Sequence, residues 1–365
     1  MLSNKEEKYY YQIDTLRATM LLLGPVIHSA LSFMNYPAGD LWPYKYDRTN
    51  LFFDVIVLFL HSFRVPVFFV LAGFFMEKGL RKYSRKVLFI KKLRRIGIPL
   101  VFGTLLLYPI IEFGMINAKL GSVSIYDFFD YFDISHYKFA HLWFLYYLLV
   151  FYFVHIIVSG FLNGLREWVL DKNFVQLTLI IVALMIASFF ILIFIDHNAF
   201  DGDYALLPHI GSVLYFIFFY FMGFVAYNSN RWFGYLRNYF ILYFIVGAIS
   251  FILLLASRAG ARVVETDFSI VESLLFVISA YSFVWGFFGM FEVLLRKNRL
   301  VAYIAKSSYF IYIVHLPVLT LVLALTVSFQ LNEFSLFGII FTATIFISYL
   351  LYFVASVISG YIVKD

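Results

Sequence analysis

Ten mostly apolar runs, each long enough to cross about 30 Å of hydrocarbon, recur along the chain and leave it few ways to fold. They lie at residues 13–34, 53–76, 97–116, 141–162, 174–195, 209–227, 236–257, 268–294, 307–328 and 335–361. Runs of that length satisfy their backbone polar groups in lipid as α-helices. Composition agrees: 63% of the 365 residues are hydrophobic and 14% charged, with a mean hydropathy of +0.87, far outside the range of a soluble domain. The 47 Phe and 28 Tyr suit aromatic packing and interfacial belts. The expected fold is all-α, a polytopic integral membrane protein, with residues 1–365 forming a single membrane domain and no separate soluble one.

An even number of spans puts both ends on one side, and charge says which. With the N-terminus inside, the inner segments hold 21 of the 28 Lys and Arg, the outer segments hold six, and Arg64 lies within a span. Cytoplasmic loops carry this excess, so both termini are expected in the cytoplasm. Nine of the inner cations sit in one connection, Glu77–Gly97, whereas the outer loop Asp196–Pro208 has three Asp and no Lys or Arg. Topology thus accounts for the net charge of +6 without an anionic soluble partner, and nucleic-acid binding has no support. The first apolar run is too long for a signal peptide and no small-x-small cleavage site follows it, so it reads as an uncleaved span. No internal repeat or long linker interrupts the chain.

Several chemistries are excluded. The absence of cysteine removes disulfides and thiolate catalysis. No Walker-type loop, no GxSxG elbow and no His followed at the fifth position by Asp is present. No HExxH or His–carboxylate helix pair points to a metal.

What remains is a set of ionisable groups inside spans, where insertion is costly and function is the default explanation. In Ile13–Ala30, Arg17 precedes His28 by eleven residues. Eleven helical steps make three turns plus roughly 20° and about 16 Å of rise, so one helix carries a cation near the inner surface and an imidazole near the midplane. His61 and Arg64 share a face of the second span, at a depth matching His28, and His315 reaches a similar depth in the ninth. His141 sits at the outer mouth of the fourth span. Each imidazole taken alone could simply bond across the bundle; their matched depth favours a shared polar cavity. Glu112 and Glu272, towards the outer half, are candidates to orient an imidazole, and Glu272 equally fits an interfacial position. His136, His155, His197 and His209 receive no role. A neutral histidine among cations suits a general base for a hydroxyl. Arginine suits an anionic second substrate, and Arg17 with Lys91, Lys92, Arg94 and Arg95 forms a basic inner mouth. Positive-inside topology alone explains most of that charge, though less well for Arg17, which is already inside the apolar run.

These motifs resemble the acyltransferase 3 family, membrane acyl-CoA-dependent O-acyltransferases. The resemblance runs through IDTLR and its histidine (Asp14, Arg17, His28, with ten residues between the last two), HSFRVPVFFVLAGFF (His61–Phe75), KKLRRIGIP (Lys91–Pro99), HLWFLYYLL (His141–Leu149) and SSYFIYIVHLP (Ser307–Pro317), in the family's order. His61-x-x-Arg64 followed by Pro-x-Phe-Phe is similar to the branch of the glucan biosynthesis protein C type, associated with succinylating periplasmic glucans. One departure is Ala72-Gly73-Phe74, where many members carry Ser-Gly-Phe.

The resemblance implies that His28 is the catalytic base, with Asp14 and Arg17 in the same catalytic set and Arg17 helping to hold acyl-CoA. By analogy Lys91, Arg94 and Arg95 are donor-site candidates. His61, Arg64, His141, Trp143, His315 and Glu112 are candidates for the acceptor side or for supporting the catalytic groups. The expected function is transfer of an acetyl or succinyl group from cytoplasmic acyl-CoA to a hydroxyl of a glycan or other extracytoplasmic acceptor, in the bacterial inner membrane. No permanently bound cofactor or metal is expected; acyl-CoA is the donor substrate. Acceptor delivery, if assisted, is expected from a separate periplasmic protein. Two other readings stay open: a transporter or flippase for an anionic solute, against which the lack of repeats counts, and a non-catalytic sensor built on the same scaffold.

Overall fold

The computed structural model describes residues 4–36, 42, 44–121, 123–132, 137–197, 199, 208–227, 229–258, 268–294 and 299–360. His136 and most of the acidic loop Asp196–Pro208 lie outside the described residues. The described residues are mostly helical, with α-helices in the order α1 (Asn4–Ala30), α2 (Leu51–Lys82), α3 (Arg85–Lys92), α4 (Ile98–Leu120), α5 (Ile125–Tyr131), α6 (Trp143–Leu170), α7 (Phe174–Phe194), α8 (Ile210–Ala226), α9 (Asn230–Ser257), α10 (Ile270–Leu294), α11 (Arg299–Thr326) and α12 (Glu333–Ile358). Among these residues nine helical segments are long and apolar enough to cross a membrane. The tenth expected span corresponds to α8, which is apolar but only 17 residues long, the lower end of what spans a bilayer. The all-α polytopic architecture read from the apolar runs is therefore the architecture of the protein.

The chain divides into two compact units. The first comprises Met1–Arg17, His61–Leu100 and Leu142–Lys297. In it α10 packs along α9 and α7, α8 contacts α6 and α7, and α3 lies against α6. Its core is aromatic: Phe69 stacks on Phe216 with centroids 4.6 Å apart and meets Phe151 at 5.1 Å. Two glycines set a close helix crossing. A Cβ at Gly73 would overlap the Tyr220 carbonyl oxygen, and one at Gly223 would overlap that of Val70, so α2 and α8 meet backbone to backbone. Small residues permit this approach in membrane helices, which gives the glycine of LAGFF a packing role.

The second unit comprises Ala18–Leu60, Val101–His141 and Asn298–Asp365. Here α11 packs on α12, and Phe33, Phe53, Tyr46 and Phe337 form an aromatic cluster, with Phe33 stacked on Tyr46 at 4.8 Å. Asp54, fully buried near the start of α2, accepts the backbone N–H groups of Asn35 and Tyr36 at 2.8 and 3.1 Å, fixing the chain as it leaves α1.

Prolines interrupt α1, α2, α4 and α11 at Pro25, Pro66, Pro109 and Pro317. Proline has no N–H, so the carbonyl four residues earlier loses its helical donor. Side chains take up two of these carbonyls in the second unit. Tyr137 donates its hydroxyl to Leu105 at 2.8 Å, four residues before Pro109. His141 Nε2 meets Ile313, four residues before Pro317, at 2.9 Å.

Candidate active site

The second unit brings three of the predicted histidines together. The His315 ring lies 5.3 Å from the His28 ring and 5.0 Å from the His141 ring, centroid to centroid. His28 comes from the last turn of α1, His315 from α11 and His141 from the short 3₁₀ turn Ala140–Leu142 that leads into α6. His315 and His141 are buried, at 0% and 4% exposure, whereas His28 is only partly covered. Of the three imidazoles, His28 is thus the one most open to a substrate. The indole of Trp42 stacks near it, 6.1 Å away and tilted by 25°, and is itself fixed by donating Nε1–H to Ser32 Oγ at 2.6 Å.

Carbonyl partners decide the tautomers of the two buried rings. A carbonyl oxygen only accepts, so a neutral imidazole nitrogen bonded to one carries the hydrogen. His315 Nδ1 meets the Tyr312 carbonyl at 2.7 Å and that of Ile311 at 3.2 Å; Nδ1 is protonated and Nε2 is the acceptor. His141 Nε2 meets the Ile313 carbonyl at 2.9 Å; Nε2 is protonated and Nδ1 is the acceptor. Tyr312 also donates its hydroxyl to the His141 carbonyl at 2.6 Å, tying the 3₁₀ turn to α11. Immediately before His141, Ala140 adopts a left-handed backbone with φ of 46°, a strained state for a residue with a Cβ that persists only when its surroundings enforce it.

The first unit carries the cations. Arg17 pairs with Asp14 at 3.2 Å, one turn away, and its guanidinium lies over the Phe75 ring at 5.6 Å. The charges of Arg17 and Arg95 both act on Lys92, whose ammonium sits 4.3 Å above the Tyr152 ring. Like charges gathered in this way repel unless an anion joins them. The helix here is unusual: Leu93–Gly97 forms a π-helical turn, closed by the Ile98 N–H on the Leu93 carbonyl just before Pro99. Such turns insert an extra residue and occur frequently at functional sites. Lys91 points elsewhere, with its Nζ 3.9 Å over the Tyr83 ring, and hydrogen bonding from Lys91 and Lys82 holds the Tyr83 phenol below its usual pKa.

The family model for an acyltransferase domain matches residues 10–353, nearly the whole chain. The chain belongs to the acyltransferase 3 family. Among curated proteins it is similar to Glucans biosynthesis protein C of Escherichia coli K12 and of Shigella dysenteriae serotype 1, at 30% identity over 146 residues in each case. That stretch is 38% of this chain and 36% of each relative, so the chain aligns with about a third of the length of these curated relatives. No solved structure matches it.

In this membrane acyltransferase the predicted site residues fall into two sets. The second unit holds His28, His141, His315 and Glu112; the first holds Asp14, Arg17, His61, Arg64, Lys91, Arg94, Arg95 and Trp143. Glu112 hydrogen-bonds the Tyr108 side chain. Glu272 pairs with Arg258 at 3.2 Å and accepts the Ser269 N–H at 2.7 Å at the start of α10, in keeping with an interfacial position. Trp143 packs edge-on against Tyr147 at 5.3 Å, inside the aromatic core. His155, which received no role, is buried and bonded through Nδ1 to the Tyr220 hydroxyl at 2.9 Å. Sequence reasoning missed Trp42, Tyr312 and Tyr152, aromatic residues lost among 80 Phe, Tyr and Trp. The signal for Tyr312 was its place one turn before His315.

Proposed function

We propose that this acyltransferase moves a short acyl group, acetyl or succinyl, from acyl-CoA to a hydroxyl of a glycan or similar acceptor, with His28 as general base. The observation that carries the reading is the histidine cluster. One partly open imidazole is backed by two buried ones with settled tautomers, an arrangement with little purpose in a passive helix contact and an evident one in proton transfer. As the acceptor hydroxyl attacks the thioester carbonyl carbon, His28 takes its proton. The C–O bond forms, the C–S bond breaks, and the departing CoA thiolate recovers that proton from the His28 imidazolium.

Arg17, Lys92 and Arg95 are the proposed anchor for the donor's phosphates, since guanidinium and ammonium groups pair strongly with phosphate oxygens. Arg17 and His28 share α1, about 16 Å apart by helical rise. The similarity to Glucans biosynthesis protein C favours a glycan acceptor. Cytoplasmic termini are supported by the charge bias of the loops, and a bacterial inner-membrane location with donor entry from the cytoplasm is proposed from the family resemblance. Delivery of the acceptor by a separate periplasmic protein remains part of the proposal, tested by mild-detergent pull-down from the native host.

The decisive experiment measures CoA release from acetyl-CoA and succinyl-CoA by purified protein, wild type and His28→Ala, with and without a membrane glycan extract. Release that rises with extract and is lost in His28→Ala is the expected result and identifies the acyl group. Full transfer by a folded His28→Ala protein overturns the assignment of the base. Neither release nor acyl-CoA binding favours the anionic-solute transporter; binding without turnover favours the sensor.

A further inference from the structure

We infer that Tyr152 is a positioning residue for donor binding: its ring face holds the Lys92 ammonium within the cation cluster, so that the charge is in place before the donor's phosphates arrive. The inference rests on the reading of Arg17, Lys92 and Arg95 as the donor anchor and adds the group that keeps this anchor assembled.

The need for such a group is electrostatic. The charges of Arg17 and Arg95 both act on Lys92, and repulsion between like charges favours swinging a flexible lysine stem away. Arg17 has a counter-charge in Asp14 at 3.2 Å. Among the described residues Lys92 has no carboxylate partner. What it has is the Tyr152 ring, with Nζ 4.3 Å from the centroid. The negative face of the ring attracts an ammonium at that distance, more strongly where water is excluded. Tyr152 is 4% exposed, whereas Lys92 is half-buried and still within reach of a ligand. Tyr152 also acts on Arg17, which places it beside two of the three cations.

The ring is held in turn. It lies 6.2 Å from the Tyr220 ring of α8. Tyr220 is fixed at both ends: its hydroxyl bonds His155 Nδ1 at 2.9 Å, and its backbone carbonyl sits where a Cβ at Gly73 would fall. His155, one turn along α6 from Tyr152, thereby gains a purpose, backing through Tyr220 the ring that holds Lys92. Lys91 supplies the contrast, since its Nζ lies 3.9 Å over the Tyr83 ring. Two successive lysines are held by two different tyrosines, and it is the one on the buried ring that feels Arg17 and Arg95. A cation placed in advance spares the donor the cost of ordering it.

The test measures the Kd for CoA by titration calorimetry of the full-length protein in detergent, with kcat for acyl transfer alongside. Tyr152→Phe keeps the ring face and should leave the Kd within about twofold of wild type. Mono-, di- and trifluorinated phenylalanine at position 152 keep nearly the same shape but weaken that face step by step. The Kd should rise along the series, to about tenfold at the trifluorinated ring, with kcat at saturating donor within about twofold of wild type. A merely structural role produces no such gradient, because every ring in the series fills the space. In a Lys92→Ala background the gradient should vanish, and the same series at Tyr83 should leave the Kd unaltered. A flat series at position 152, or a gradient that persists without Lys92, overturns the inference while CoA binding by wild type leaves the donor reading standing. No CoA binding by wild type removes the donor reading itself, and this inference with it.

Discussion

Pro317 and His141 act on the same atom. Because Pro317 has no N–H, the Ile313 carbonyl is released from the α11 ladder, and His141 Nε2 occupies it at 2.9 Å. The proline of the HLP motif thereby sets the tautomer of a histidine more than 170 residues away in sequence.

Pro317→Ala returns an N–H that competes for that carbonyl. The variant should be at least as thermostable as wild type, since a helical hydrogen bond is regained, while acyl transfer falls tenfold to about 100-fold through loss of His141 orientation. Melting temperature and CoA release measured together check this. A stable variant of undiminished activity would show that the His141 tautomer is dispensable.

The cation cluster predicts a split between binding and chemistry. Removing Lys92 or Arg95 to Ala should raise KM for acyl-CoA about tenfold with kcat nearly unchanged. The same KM should rise with ionic strength in wild type, more steeply than in either variant. Lys86→Ala, on an exposed site of α3, serves as the control and should leave both constants unaltered. A drop in kcat alone for Lys92→Ala would move that residue from donor anchoring to the chemical step.

At the α2–α8 crossing, Gly73→Ala and Gly223→Ala each thrust a methyl group into a facing backbone carbonyl. Backbone cannot yield as a side-chain tip can, so each should cost about 1–3 kcal/mol or more and lower the melting temperature and the yield of folded protein. Gly160 in α6 has nothing within 4 Å of an added Cβ. Gly160→Ala should be neutral or stabilising by about 0.5–1 kcal/mol. Equal behaviour of the three variants in thermal unfolding would remove the packing account.

How much of this was legible depends on the kind of signal. Helix positions were readable because lipid demands long apolar runs, and only α8 came out short of full span length. His28, His141 and His315 stood out because ionisable groups inside spans are costly. That they meet, with His61 and Arg64 in the other unit, was not readable: helical depth fixes the height of a residue, and tertiary packing decides which helices are neighbours. The π-helical turn at Leu93–Gly97 changes the face on which Arg95 lies relative to Lys92, which regular helical spacing does not give. The tautomers followed only from the released carbonyl of Ile313 and the main-chain partners of His315.

The last prediction concerns Glu77, buried at 3% exposure near the end of α2. It contacts two arginines: Arg81 Nε at 2.8 Å and Arg166 Nε at 3.8 Å. Distance alone would rank the Arg81 pair as the stronger. Burial reverses the order. The Arg81 side chain is 54% exposed, and solvent-exposed pairs are worth about 0–1 kcal/mol. Arg166 is 7% exposed and also donates to the Phe224 and Tyr227 carbonyls at 3.3 and 2.5 Å, so it joins α2, α6 and the end of α8. Arg166→Met should therefore cost more than Arg81→Ala, because it removes the buried partner together with its bonds to two carbonyls and leaves Glu77 only the exposed Arg81; Arg81→Ala should cost less than about 1 kcal/mol. Glu77→Gln combined with Arg166→Met should recover part of the loss, because the buried charge is then gone. Thermal unfolding of the three variants and the wild type in one detergent measures this, and a larger effect for Arg81→Ala than for Arg166→Met would show that proximity outweighs desolvation at this site.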